Sequence, residues 1–412
     1  MEIKKYSRIE GLFGLTLVII FISKSLFNIL FGILFLMSVY KLVKKNKINN
    51  NLVMILYTLT PLIGLLINGY IFGFEGVKNY LDVERGMIFS FIFLVFNLSL
   101  NEYERIKNWI LVGGVSSAIY SGISFITPKF LGIKTYYEEY KRTNKMASFQ
   151  NPIRWARLLQ IMVPYSFINL EWVKKRVYKI LFIILSIYFI WNIVINGQRA
   201  AILGAFISMT IFFLMYIFSL KKNRILHILI ISVVSLILGF SITHENKMIE
   251  KRIISIFDIN ENISNRVRVD FWKTGTDILR SNNYMGVGSG NSRKVFEEFI
   301  SKRSKTYVKE YYKYKEGTPF ENNYLNIVVE NGVLYFLYFI GVQMAILIEI
   351  FKGYLAQNCK DKKIKLMIIF SLVVGDRIFM FFYPGTDTYV EFLITFLIFY
   401  AFKLKEVEKL DV

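Results

Sequence analysis

Residues 200–220 read AAILGAFISMTIFFLMYIFSL, an apolar run without a charged side chain that ends at Lys221 and Lys222. A helix needs roughly 20 apolar residues to cross the hydrocarbon core of a bilayer. Lipid cannot bond an exposed backbone, so a helix must satisfy its own polar groups there. The run therefore predicts a transmembrane helix and, with it, an integral membrane protein.

The composition extends this prediction to the whole chain. Hydrophobic residues make up 54% of the 412 positions and aromatic residues 17%, more apolar surface than one soluble core needs. We predict an all-α protein with about 12 transmembrane helices, in one polytopic membrane domain over residues 1–412. Only Ser23 and Lys24 separate the first two runs, so these form either a hairpin or one long tilted element. The runs cover approximately residues 9–23, 25–42, 52–72, 86–101, 108–127, 154–171, 179–196, 200–220, 225–243, 323–350, 366–384 and 388–404.

Basic residues cluster in alternate connections between the predicted spans. Such connections lie in the cytoplasm, so the clusters place both termini inside. The same rule accounts for the formal net charge of +21 without a nucleic-acid partner. The basic connections contain Lys41, Lys44, Lys45 and Lys47; Arg105 and Lys107; Lys174, Lys175, Arg176 and Lys179; Lys221, Lys222 and Arg224; and Lys352 through Lys365.

A long segment at residues 244–322 interrupts this alternation. It lies between the ninth and tenth predicted spans, so the orientation puts it outside the cytoplasm. Apolar and aromatic residues recur with helical spacing between Val267 and Leu279, which predicts a small, mainly helical subdomain. Loops of this length tend to be functional.

Cysteine and histidine are too scarce for a disulfide or a structural zinc site. The chain has only Cys359, His227 and His244. We therefore predict chemistry that uses other side chains, without a metal or a cofactor.

Arginines at the predicted outer surface are candidates for binding an anion. Arg199 ends the tight turn Asn196-Gly197-Gln198-Arg199 between two spans. Arg154 and Arg157 open the sixth span one helical turn apart, so they share a face and can form a cationic pocket with Arg199. Simple anchoring at the membrane interface is the alternative for this pair.

Two further arginines, Arg266 and Arg268, stand two positions apart in the external segment. They cannot share a helix face, so one of them points elsewhere. Arginine suits a diphosphate because its planar fork donates two hydrogen bonds and keeps its charge.

The return of the external segment to the membrane holds a candidate for proton transfer. Glu321 precedes Asn322, Asn323 and Tyr324 at this point, where a general base for a hydroxyl group is expected to sit. An ordinary interfacial carboxylate is the alternative.

Charged residues also occur inside predicted spans. Asp376 and Arg377 are adjacent in the eleventh span, where such charges either serve function or pair across helices. Glu330 lies near the helix face of Asn323, so it is a candidate partner for one of the arginines.

Aromatic and glycine-rich stretches add weaker signals. Tyrosine alternates with charge at residues 136–141 and 307–315, a pattern that suits sugar stacking but is more typical of a membrane interface. Residues 285–291, MGVGSGN, space their glycines like a phosphate-binding loop. No Walker lysine follows, which favours a flexible turn.

The order of several motifs resembles a known family, the O-antigen ligase and O-antigen polymerase superfamily of bacterial membrane glycosyltransferases. The resemblance covers about residues 110–345. It rests on Asn151-Pro152, on Gly197-Gln198-Arg199, on Arg268-Val269-Asp270-Phe271-Trp272 with the glycine run at 286–291, and on Asn322-Asn323-Tyr324-Leu325 with Glu330-Asn331-Gly332.

The resemblance implies a donor glycan linked through diphosphate to a polyprenol, and a glycan or lipid-glycan acceptor. It implies a bacterial cytoplasmic membrane enzyme whose active site faces outward, with a chain-length regulator as a candidate partner. Arg199 and Arg268 would then hold the diphosphate, with Arg154, Arg157 and Arg266 nearby. Glu321 would orient or deprotonate the acceptor hydroxyl, beside Asn322, Asn323 and Tyr324.

Three functions remain open at this stage. Ligases of this family carry a histidine where this chain has Glu321, so a polymerase of surface-polysaccharide repeat units is favoured. A ligase that transfers the finished glycan to lipid A-core or another acceptor is the runner-up. A flippase for a lipid-linked sugar is the alternative from a different class, although such transporters usually show repeated halves.

Overall fold

The computed structural model describes residues 7–44, 51–83, 89–126, 148–149, 152–169, 176–219, 263–301, 320–382 and 388–406. Within these ranges the protein is helical and contains no strand, which confirms the all-α fold class. The helices are α1 (Arg8–Ile19), α2 (Lys24–Val43), α3 (Leu52–Val83), α4 (Phe89–Phe96), α5 (Leu100–Ile126), α6 (Pro152–Tyr165), α7 (Arg176–Asn196), α8 (Arg199–Ser219), α9 (Ile263–Ser281), α10 (Ser292–Ser301), α11 (Asn323–Ala356), α12 (Lys360–Phe381) and α13 (Thr388–Glu406).

Several of these helices are long and apolar enough to cross a membrane. They are α2, Leu52–Leu81 of α3, α8 and α11. The chain is therefore a multi-pass membrane protein. The twelve-span count stays a prediction, and the span expected at residues 225–243 lies outside the described residues.

In the N-terminal region, the helix boundaries set by capping residues differ from the boundaries of the apolar runs. The first two runs are separate helices, because Ser23 caps α2 by accepting a hydrogen bond from the backbone N–H of Leu26. In the described part of the span expected at 86–101, the eight-residue α4 ends at Phe96 and α5 already begins at Leu100. A capping box begins α5, where the Glu102 carboxylate accepts from the backbone N–H of Ser99 at 2.7 Å.

The centre of the bundle is occupied by α13. Its side chains from Tyr389 to Phe402 are all buried, and it packs against α4, α5, α11 and α12. Peripheral helices instead expose apolar side chains, as Leu181 and Ile184 of α7 do, with 52% and 55% of their surface accessible. Such faces suit contact with lipid.

The described part of residues 244–322, the segment that the sequence predicts to be external, has a core of its own. Helices α9 and α10 bring Phe271 and Phe296 together with Phe320, and Val329 of α11 completes this group. The phenylalanine rings meet edge to face at 5.1 Å and 5.3 Å between centroids. The segment therefore rests on the first turns of α11.

Candidate active site

An ion pair joins two of the residues that the sequence singles out. The guanidinium Nε of Arg268 on α9 donates to Oε2 of Glu321, which stands just before α11. Both side chains are partly accessible, at 26% for Arg268 and 22% for Glu321. Solvent therefore reaches both members of this pair.

The backbone holds Glu321 in an unusual conformation. Its φ is +45°, in the left-handed region that residues other than glycine seldom adopt. Strained residues of this kind cluster at functional sites, where the surrounding structure enforces them. A functional carboxylate at Glu321 stays a prediction, with which this conformation agrees.

The three residues after Glu321 build the start of α11. Asn322 caps the helix by accepting from the backbone N–H of Leu325 at 3.0 Å. The hydroxyl of Tyr324 donates to the carbonyl oxygen of Arg377 at 2.9 Å. Asn323 is buried, and its Nδ2 finds no hydrogen-bond partner among the described residues. The polar groups of Asn322 and Tyr324 thus bond to the protein itself.

A buried ion network lies inside the bundle. The guanidinium of Arg157 on α6 makes two hydrogen bonds to Asp376, at 2.8 Å and 3.0 Å, and a third to Glu391 at 2.7 Å. Arg377 approaches Asp376 at 3.5 Å and Glu391 at 3.6 Å. Two cations and two carboxylates therefore balance one another in the interior.

This network changes the interpretation of Arg157. The sequence places it with Arg154 and Arg199 in a pocket open to substrate, but its side chain is fully buried and bonded to two carboxylates. Asp376 and Arg377 pair across helices, as one of their two interpretations expects. Sequence reasoning missed Glu391, which looks like an ordinary charge at the start of α13.

The other arginines open helices at nearby ends. The guanidinium of Arg154 lies 4.7 Å from the ring centre of Tyr389. Arg199 is the first residue of α8, after a turn in which Gly197 has φ +67°. Asn196 in that turn donates to the carbonyl of Pro152 at 2.8 Å, so the turn adjoins the start of α6. The side chain of Arg266 lies outside the described residues.

The glycine run binds the protein backbone. The N–H groups of Val287 and Gly288 donate to the carbonyls of Val329 and Glu330, both at 2.9 Å. The N–H of Ser289 donates instead to the side-chain Oδ1 of Asn68 at 2.8 Å. These donors are not available to a phosphate. The run therefore docks tightly on α11, and the expectation of a flexible turn is wrong.

The docking surface is a break in α11. Gly332 has φ +84°, and a Cβ there would lie 2.6 Å from the carbonyl oxygen of Met285. Glu330, just before the break, accepts a hydrogen bond from the hydroxyl of Ser292 at 2.5 Å. This differs from the arginine partner expected for Glu330, because the glycine run and α10 cover its face of the helix.

No three His, Cys, Asp or Glu side chains gather as a metal site would require within the described ranges. Chemistry without a metal or a cofactor stays a prediction.

A comparison with protein families identifies the segment that contains the ion pair of Arg268 and Glu321. Residues 181–340 match the family model described as O-antigen ligase. The resemblance to the O-antigen ligase and polymerase superfamily is confirmed. The O-antigen ligase match contains Arg199, Arg268 and Glu321, whereas Arg154, Arg157 and Asp376 lie outside it. No curated protein matches the chain.

Proposed function

We propose that the protein is a membrane glycosyltransferase that polymerises polyprenyl-diphosphate-linked oligosaccharide repeat units. The main support for this proposal is the accessible ion pair of Arg268 and Glu321, which lies within the segment that matches the O-antigen ligase family model. The pair combines a permanent cation with a carboxylate at the point where the external segment meets α11. Transfer of a sugar from a diphosphate donor to a hydroxyl group requires these two kinds of group.

Arg268 would bind the donor diphosphate. Its bond to Glu321 uses Nε, so the other N–H donors of the planar guanidinium can engage phosphate oxygens. The cation would stabilise the charge that develops on the diphosphate as it leaves. Arg199 and Arg154 are the further arginines in the proposal, because their helices begin side by side.

Glu321 would act as the general base. The acceptor oxygen attacks the anomeric carbon of the donor sugar, and the bond from that carbon to the phosphate oxygen breaks. The electron pair leaves with the polyprenyl diphosphate, and the hydroxyl proton passes to the Glu321 carboxylate. General-base catalysis of this kind contributes about 10²–10⁴-fold to a rate.

The proposal gives the remaining candidate residues no direct catalytic role. We leave Arg157 out of the proposed donor site because two carboxylates already hold its buried guanidinium. Direct substrate contacts by Arg266, Asn322, Asn323 and Tyr324 stay predictions.

A ligase is the second candidate function, because the matching family model carries that description. A polymerase is preferred because this chain has Glu321 where ligases of the family carry histidine.

Incubation of the purified protein with a polyprenyl-diphosphate-linked oligosaccharide tests the proposal. We expect a ladder of longer lipid-linked glycans on a gel, and a turnover about 10²–10⁴-fold lower for Glu321→Gln. One transfer event to an added lipid-glycan acceptor, without a ladder, would point to the ligase. Unchanged donor under both conditions would contradict a glycosyltransferase.

A further inference from the structure

We propose that Trp272 and Tyr324 are positioning residues that clamp Glu321 in its left-handed conformation. The inference rests on the function proposed above, because it explains how the protein aims the base of that reaction. Neither residue is taken to contact the reacting atoms.

Glu321 needs support from its neighbours. A non-glycine residue at φ +45° relaxes to a more favourable backbone unless the residues on both sides are fixed. A change of this backbone torsion would swing the carboxylate away from Arg268. The structure therefore has to fix the chain both before and after Glu321.

Trp272 fixes the chain before Glu321. Its indole N–H donates to the carbonyl oxygen of Phe320 at 2.8 Å. The side chain of Phe320 is fully buried, so the residue cannot shift without disturbing the core of the external segment. The Trp272 ring also meets Phe381 edge to face, 5.7 Å between centroids.

Tyr324 fixes the chain after Glu321. Its hydroxyl bond to the Arg377 carbonyl ties the first turn of α11 to α12. The side chain of Arg377 belongs to the buried ion network, which locks that part of α12 to α6 and α13. The Tyr324 ring lies 6.3 Å from Phe381 between centroids, so both clamps rest on the same end of α12.

This arrangement makes the buried network useful to an external reaction. The network fixes the end of α12. Trp272 and Tyr324 contact that end, and they hold Phe320 and the first turn of α11 in place. Glu321 lies between these two fixed points. Misplacement of a catalytic group by about 1 Å can lower a rate by 10²-fold. The clamps should therefore affect turnover more than substrate affinity.

The variants Tyr324→Phe and Trp272→Phe test this inference in the full-length purified protein. Each removes one hydrogen bond to a backbone carbonyl and keeps an aromatic ring. We expect kcat to fall about 10–10²-fold, with KM for the lipid-linked donor changing less than about threefold. Tyr338→Phe is the matched control on the same helix, because its hydroxyl also donates to a carbonyl, that of Leu56 at 2.7 Å. Its kcat should stay at the wild-type value.

A double variant separates positioning from an independent role. If Tyr324 acts through Glu321, adding Tyr324→Phe to Glu321→Gln should lower the residual rate no further. The inference would be overturned, without the proposed function, if the losses of rate from Tyr324→Phe and Glu321→Gln multiplied in the double variant. It would also be overturned if both clamp variants kept the wild-type kcat while Glu321→Gln was impaired. Wild-type turnover by Glu321→Gln would instead remove the proposed base and the clamp together.

Discussion

Two arginines of the described ranges, Arg157 and Arg268, occupy different environments. Arg157 is fully buried and bonded to Asp376 and Glu391, whereas Arg268 is partly accessible and makes its ion pair with Glu321 at the surface. A buried cation is stable only when it is paired and hydrogen-bonded, so Arg157 serves the fold. An accessible guanidinium with donors to spare can bind an anion.

The variant Asp376→Asn tests the structural role of the buried network. It leaves Arg157 in the interior with less negative charge, so the free energy of unfolding should fall by about 3–5 kcal/mol. Arg293→Ala is the control, because it removes an exposed pair to Glu297 at 3.6 Å and should change stability by less than about 1 kcal/mol. Unfolding in detergent, followed by circular dichroism, measures both. Equal stability of the two variants would contradict the assignment.

Among the elements, α11 combines a broken start with a long apolar remainder. The glycine run at 285–291 and the preceding residue, Tyr284, are joined to the break by backbone hydrogen bonds, including one from the Val333 N–H to the Tyr284 carbonyl at 3.0 Å. Backbone packs directly on backbone there. Glycine is required because a Cβ on Gly332 would collide with Met285.

The variant Gly332→Ala tests this docking. Alanine is strained at φ +84° and collides with the Met285 carbonyl, so the free energy of unfolding should fall by more than about 1 kcal/mol. Gly341→Ala on the same helix is the matched control, since a Cβ there meets nothing within 4 Å. Limited proteolysis of the external segment should become faster only in Gly332→Ala. Faster cleavage in both variants, or in neither, would show that the break does not hold the glycine run.

Apolar runs predict the helices well but not all of their ends. The long runs become α3, α8 and α11 because lipid and core both require apolar side chains. The run at 86–101 extends past the Ser99 cap that begins a new helix, so its expected end is wrong. Caps act through one or two hydrogen bonds, which a search for apolar length passes over.

The candidate site shows the same limit at longer range. Arg268 and Glu321 could be singled out from the sequence, but their ion pair joins residues 53 positions apart. The partners of Arg157 are 219 and 234 positions away, so local spacing could not reveal them. Residue type indicates which chemistry is present, whereas pairing depends on how the helices pack.

At the scale of the whole molecule, polar clusters mark two opposite ends of the bundle. Glu104 near the start of α5 accepts from Lys365 at 2.6 Å and from Tyr400 at 2.5 Å, which joins the start of α12 to the end of α13. The opposite end of α12 carries Arg377, bonded to Tyr324. The first end contains basic residues that the charge pattern assigns to the cytoplasm. The ion pair of Arg268 and Glu321 therefore belongs to the outer face in our proposal.

Thiol labelling in intact cells tests this orientation. Cys359 is exposed between α11 and α12, at the end assigned to the cytoplasm, so an impermeant maleimide should label it only after permeabilisation. Ser301→Cys, placed on the exposed end of α10 in a Cys359→Ser background, should react in intact cells. The reverse pattern would contradict the orientation.

Exchange of the two charges tests the central claim, that Arg268 and Glu321 perform the chemistry rather than only holding the loop. The double variant Arg268→Glu with Glu321→Arg retains opposite charges at the two positions but reverses their places. Turnover of a polyprenyl-diphosphate-linked oligosaccharide should stay as low as in Glu321→Gln, while thermal stability stays near that of the wild type. Recovery of wild-type turnover by the exchanged pair would contradict the account, because an ion pair of either polarity would then suffice.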